Sequence, residues 1–153
     1  MTDHRYGLAR PDEISGRSGK EILQSIIDGE LPQAPISETM SFWITEVGDG
    51  FAAFEGEPGR HLLNPMGSVH GGWALTLLDS VTGCAGPSLQ PAGTGCVTIE
   101  TKGNFSRPIT RDTGRVRAAA QGRQVISCGG RVLSQDGKAL AHGTSTLMVL
   151  GGK

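Results

Sequence analysis

One carboxylate stands alone in the most apolar stretch of this chain. Residues 71–85, GGWALTLLDSVTGCA, hold Asp79 and no other charge. A buried carboxylate without a partner is costly, so it is either bonded or employed. Two readings follow. Asp79 marks a helix face at a subunit seam, bonded to Thr76, Ser80 or a nearby backbone amide; or it is a base or nucleophile in a partly desolvated cleft, the reading preferred here. Upstream lie Ser68-Val69-His70-Gly71-Gly72. Amide groups at a helix start point outward with the positive end of the dipole, and glycine lets a carbonyl approach them closely. Such amides stabilise the oxyanion that forms when a carbonyl is attacked. The eight helical residues from Gly71 to Asp79 span about 12 Å. The two groups therefore cannot serve one reacting atom within one chain, and they would have to meet across two copies. His70 is read as fixing the turn through its ring rather than as a base. Cys84 has no histidine at a recognisable spacing, which argues against a cysteine hydrolase.

The elements around these residues follow from pattern. Residues 1–17 are polar, contain Gly and Pro and have no period, and are expected to form a flexible N-terminal arm. From Ser18, SGKEILQSIIDGELP predicts a short amphipathic helix with Ser18 and Glu21 as a capping box and Ile22, Leu23, Ile26 and Ile27 as its apolar stripe. Residues 40–47 and 51–57 flank Gly48-Asp49-Gly50 and predict a hairpin. Residues 71–85 predict a helix apolar nearly all round, hence buried. Residues 97–105 alternate, with Val97, Ile99, Thr101, Gly103 and Phe105 expected on one face. Three further strands are expected over 115–121, 123–134 and 139–150, with Gln121-Gly122-Arg123 and Asp136-Gly137 at the turns. This is an α+β domain, residues 18–151, in which five to six antiparallel strands wrap around one long helix. Wrapping hides the helix and covers one sheet face together. The exposed sheet edge then invites a second copy.

The motif Asn64-Pro65-x-Gly67-x-Val69-His70-Gly71-Gly72, followed by Asp79, resembles the signature of hotdog-fold thioesterases of the phenylacetate-degradation (PaaI-like) type. The resemblance continues through Thr98, Asn104-Phe105-Ser106-Arg107-Pro108, Gly114-Arg115-Val116-Arg117 and Asp136-Gly137-Lys138-x-Leu140-Ala141-His142-Gly143, covering roughly residues 40–150. It implies hydrolysis of an aromatic or medium-chain acyl-CoA. In that reading Asp79 activates water or attacks the thioester, the Gly71 amide polarises its carbonyl, Asn64 orients water or carbonyl, and Thr98 assists. His70, Gly72, Asn104, Phe105, Arg107 and Arg123 are the expected substrate contacts, the two arginines toward phosphate. No metal and no cofactor are implied, since coenzyme A is part of the substrate. The resemblance also implies a dimer with shared active sites, assembled further into a tetramer. The segment 115–134 is shorter than is usual in that family, which bears on the nucleotide end of the groove. Trp73, Met66 and the loop 86–95 are the expected walls of the acyl pocket.

Bulk properties narrow the alternatives. Net charge is −1 with no clustered Lys or Arg, so neither nucleic acid nor an anionic membrane is an expected partner. No apolar run reaches the roughly 20 residues of a spanning helix, and the first ten residues lack a signal-peptide core. Cys84, Cys96 and Cys128 are odd in number and contain no Cys-x-x-Cys, which favours reduced thiols and a cytoplasmic location. A hydratase would carry an Asp and a His about five residues apart in a loop-helix segment, whereas Asp136 and His142 flank a strand turn. A regulator would need a basic face that the first 35 residues lack. A non-catalytic acyl-CoA-binding protein of the same fold is the competing reading.

Overall fold

The computed structural model describes residues 4–124 and 127–151. Its centre is α4 (Gly71–Ala85), the apolar helix of the sequence pattern. Around it curve six strands: β1 (Phe42–Gly48), β2 (Phe51–Gly56), β3 (Thr94–Phe105), β4 (Val116–Gln124), β5 (Ser127–Leu133) and β6 (Ala139–Gly151). They form one sheet in the order β1-β2-β4-β5-β6-β3, with every neighbouring pair antiparallel. This is the hotdog fold. Trp73, Leu77, Leu78 and Val81 of α4 are each no more than 1% exposed. The sheet meets them largely with small residues, Ala52, Ala118, Ala120 and Gly130, so the helix lies close against it. At Gly103 a Cβ would stand 3.0 Å from Leu75 Cδ1, so that strand position has no room for a side chain.

Two N-terminal helices lean on this body. α2 (Gly19–Ile27) begins with the expected capping box: Ser18 N–H donates to Glu21 Oε2 at 2.7 Å, and Glu21 N–H to Ser18 Oγ at 3.3 Å. α3 (Pro35–Met40) is not legible in the sequence pattern, which opens a strand at residue 40. Six residues carry no measurable period, and only Pro35 at the first turn hints at a helix. Ser41, at φ 54°, turns the chain out of α3 into β1. Within the arm, a single turn α1 (Pro11–Ile14) forms, and Gly7 N–H and Gln33 N–H donate to Gln33 O and Arg5 O at 3.0 and 2.8 Å.

Two strand expectations need correction. β3 carries a bulge between Thr98 and Glu100, an extra residue that inverts the alternation. Cys96 and Thr98 therefore share the inner face with Thr101 and Gly103, while Val97 (41% exposed) and Ile99 (64%) turn outward. The turn expected at residues 121–123 lies further on, because β4 continues through Gln124, and β5 begins at Ser127. The side chain of Arg123 lies outside the described residues. The Asp136-Gly137 turn stands where expected, with Gly137 at φ 78°.

Candidate active site

The start of α4 is held by a loop whose every turn is fastened. Val69 N–H donates to Ile109 O at 2.8 Å and His70 N–H to Leu62 O at 2.9 Å. Asn64 Oδ1 accepts from Met66 N–H at 2.9 Å and Ser68 N–H at 3.2 Å, and Asn64 N–H reaches Ser68 O at 2.7 Å. The asparagine thus builds the loop with its carbonyl oxygen, and its amide group makes no hydrogen bond among the described residues. His70 is the N-cap: its Nδ1 accepts from Gly72 N–H at 2.9 Å. Trp73 N–H goes to His70 O. Gly71 N–H is left without a partner among the described residues, at the positive end of a 15-residue helix. The ring of Phe105 lies beside it, 3.4 Å from where a Gly71 Cβ would be.

Two turns down the helix, Asp79 is half-buried. Its Oδ1 accepts from Thr101 Oγ1 at 2.7 Å. Thr101 Oγ1 lies 3.0 Å from Ser145 Oγ, which lies 2.7 Å from Thr82 Oγ1. Thr82 Oγ1 donates its proton to Leu78 O at 2.8 Å, so the single Ser145 proton goes to Thr82 or to Thr101, and Thr101 alone donates to the carboxylate. Sequence reasoning missed Thr101 and Ser145. The bulge in β3 sets Thr98 on the face that carries Thr101, and nothing in the apolar–polar pattern marks Thr101 as the partner of Asp79. Asp79 Oδ2 accepts no hydrogen bond among the described residues.

Asp79 opens onto a cavity of about 250 Å³. Ser80, Gly83 and Cys84 of α4 and Thr98 of β3 share that wall; Leu23, Ile26, Ile36, Ile44 and Phe54 make it apolar. Thr98 and Asp79 thus line one cavity. The Cys84 thiol is pushed up to about 12, chiefly by burial and secondarily by the Asp79 charge, so it stays protonated at neutral pH and is no nucleophile.

The other predicted contacts are spread out. Gly71, Gly72, His70 and Phe105 gather at the helix start. Asn104 lies opposite His142 on the outer face of the sheet, away from Asp79. Arg107, just past β3, is exposed and donates from Nη1 to Ala139 O at 2.8 Å. Trp73 is 1% exposed in the core, with Nε1 donating to Met40 O, and Met66 is 88% exposed. Neither lines the Asp79 cavity, and nor does the loop 86–95; the N-terminal segment takes that place.

Comparison with known proteins agrees with this fold. The thioesterase superfamily pattern matches residues 66–141. A solved structure of a conserved protein from Pseudomonas aeruginosa is 31% identical, with a TM-score of 0.68, and the match covers 76% of this chain and 94% of that one. A phenylacetic acid degradation-related protein of Ralstonia eutropha is 30% identical with a TM-score of 0.72, covering 82% and 98%. The PaaI protein from the phenylacetic acid degradation operon of Escherichia coli shares the fold at 23% identity and a TM-score of 0.66, covering 77% and 86%. No curated protein matches the chain.

Proposed function

Since this chain belongs to the hotdog-fold thioesterase superfamily in its PaaI-like form, we propose that it hydrolyses acyl-CoA thioesters to the free acid and coenzyme A. The observation that carries the reading is Asp79: the only charge on a core helix, oriented by Thr101 and facing an apolar cavity large enough for an acyl group.

With one oxygen of Asp79 held by Thr101, the other is available to take a proton from water or to attack directly. In the water route, the water oxygen bonds to the thioester carbon as its proton passes to Asp79. The carbonyl oxygen gains the electron pair and is held by the Gly71 amide. Collapse of that intermediate expels the coenzyme A sulfur, which leaves with a proton. Gly71 and Asp79 of one helix are about 12 Å apart along α4, so the amide must come from a second copy. The long edge strand β3, with Val97 and Ile99 exposed on it, supports pairing of two copies along this edge.

The test is a panel of acyl-CoA esters with the released thiol captured colorimetrically. Asp79→Asn should fold as the wild type and turn over at least about a hundredfold more slowly. Near-normal turnover by that variant removes Asp79 from the mechanism. Tight acyl-CoA binding by a wild type that hydrolyses no member of the panel would make the protein a binder instead.

A further inference from the structure

The hydroxyl groups behind Asp79 hold one proton fewer than their contacts require. Four oxygen–oxygen contacts run in a row: Thr82 Oγ1 to Leu78 O at 2.8 Å, Ser145 Oγ to Thr82 Oγ1 at 2.7 Å, Thr101 Oγ1 to Ser145 Oγ at 3.0 Å, and Thr101 Oγ1 to Asp79 Oδ1 at 2.7 Å. All lie in the range of O–H···O bonds. Three hydroxyls supply three protons, and a carboxylate supplies none. The Leu78 carbonyl takes the proton of Thr82, so Thr82 can only accept from Ser145. The Asp79 carboxylate takes the proton of Thr101. One of the two contacts of Ser145 is then without a proton. Thr82 is 1% and Ser145 2% exposed, so the shortfall lies away from bulk solvent, where it weighs most. One arrangement removes it among the hydroxyls: Thr101 donates to Ser145, Ser145 to Thr82, and Thr82 to Leu78 O. That arrangement requires Thr101 to release Asp79.

We propose that Ser145 and Thr82 are positioning residues for Asp79, forming with Thr101 a hydroxyl switch that follows the charge on the carboxyl group. While Asp79 is a carboxylate, Thr101 donates to Oδ1. When Oδ2 takes the proton of the attacking water, Oδ1 becomes a neutral carbonyl oxygen and a weaker acceptor. The Thr101 hydroxyl then turns to Ser145, and each contact between hydroxyls has its proton. This turn stabilises Asp79 in the protonated form it holds while the water oxygen is bonded to the thioester carbon. When the proton leaves on the coenzyme A sulfur, Thr101 turns back. The proposal rests on the reading of Asp79 as the base of a thioester hydrolase and deepens it. Ser145 lies beyond residues 66–141, the span of the superfamily pattern, so that pattern says nothing of this role.

Infrared spectroscopy tests the switch without any hydrolysis. At the acid end of the folded range Asp79 is protonated, and its carbonyl stretch is isolated by subtracting the spectrum of Asp79→Asn. A carbonyl that accepts a hydrogen bond absorbs at lower frequency than a free one. In wild type Thr101 has turned to Ser145, so the band should lie higher than in Ser145→Ala, where Thr101 has no second acceptor and stays on Oδ1. Thr82→Val keeps the shape but takes away the acceptor of Ser145, and it should lower the band in the same direction, while Thr82→Ser should restore it. A band that is unmoved or raised in these variants overturns the proposal. Kinetics add a second reading. Ser145→Ala should lower kcat by about fivefold, the scale of one hydrogen bond, with KM little changed. On a Thr101→Val background the same substitution should change kcat by less than about twofold, because it acts through Thr101. Equal effects on both backgrounds mean a structural role only and overturn the proposal. If the band shifts as expected and no acyl-CoA is cleaved, the hydrolase reading fails while the switch stands. If Asp79→Asn abolishes hydrolysis and the band does not move, the base stands and the switch falls.

Discussion

At the scale of single residues, the chemistry proposed here depends on how one carboxylate is held. Thr101 donates to Asp79 at 2.7 Å, so Thr101→Val should leave the carboxylate in place but unaimed. We expect kcat to fall by about tenfold with little change in KM, and Thr101→Ser, which restores the donor, to recover most of it. Cys84 gives a separate prediction. Burial raises its thiol from 9.0 to about 12, so the folded state keeps a proton that the unfolded state releases. The associated stability is fully present below pH 9.0 and is lost as pH rises toward about 12. Cys84→Ala should flatten this alkaline decline in thermal melts, while wild-type Cys84 resists alkylation at neutral pH. Arg107 bears on the carrier. Its removal should raise KM for acyl-CoA more than it lowers kcat, and the effect should shrink as salt rises, because exposed charge pairs are screened over about 10 Å at 0.1 M. A short thioester without the nucleotide should be indifferent to the change.

At the scale of elements, α4 serves as both core and site, and its cap joins the two roles. The His70 ring bonds Gly72 N–H, which leaves Gly71 N–H as the outward donor. Replacing His70 by Ala should cost about 1 kcal/mol of stability through the lost cap, whereas Asn, which also caps well, should retain most of it. Chemical denaturation of the three proteins decides this. β3 has a similar double function. Its bulge turns Thr98 and Thr101 to the same face, and its glycine at 103 lets Leu75 approach. Gly103→Val would press a branched side chain into that contact, and the melting temperature should drop by several degrees, since overpacking typically costs about 1–3 kcal/mol.

At the scale of the whole molecule, the proposed mechanism requires a pair of copies, because Gly71 and Asp79 lie about 12 Å apart along one helix. Mixing inactive Asp79→Asn with inactive Asn64→Ala subunits, then letting them exchange, should give mixed pairs with one intact site each. Random exchange between two symmetric copies would recover up to roughly a quarter of wild-type activity. No recovery after verified exchange, or full activity of a monomer in light scattering, would show that one chain holds a complete site.

Much of this was open to inspection in the chain itself. The buried helix, its lone Asp79, the capping box at Ser18 and the glycine turns at 48–50 and 137 are local, since each depends on period, capping chemistry or backbone freedom over a few neighbouring residues. The order of elements was enough to argue a sheet wrapped on a helix. Other features arise only from contacts between distant segments. The bulge that sets Thr98 on the same face as Thr101 comes from the register of β3 against β6, and no residue of β3 announces it. α3 is too short to show a period, and Gln33 is held by Ile44 and by Arg5 and Gly7 of the N-terminal arm. Trp73 looked free to line a pocket because composition cannot say which side of a helix apolar all round faces the core and which faces a cavity. Local order follows from spacing, but the walls of the cavity are set by which segments pack against each other, and that was decided only in three dimensions.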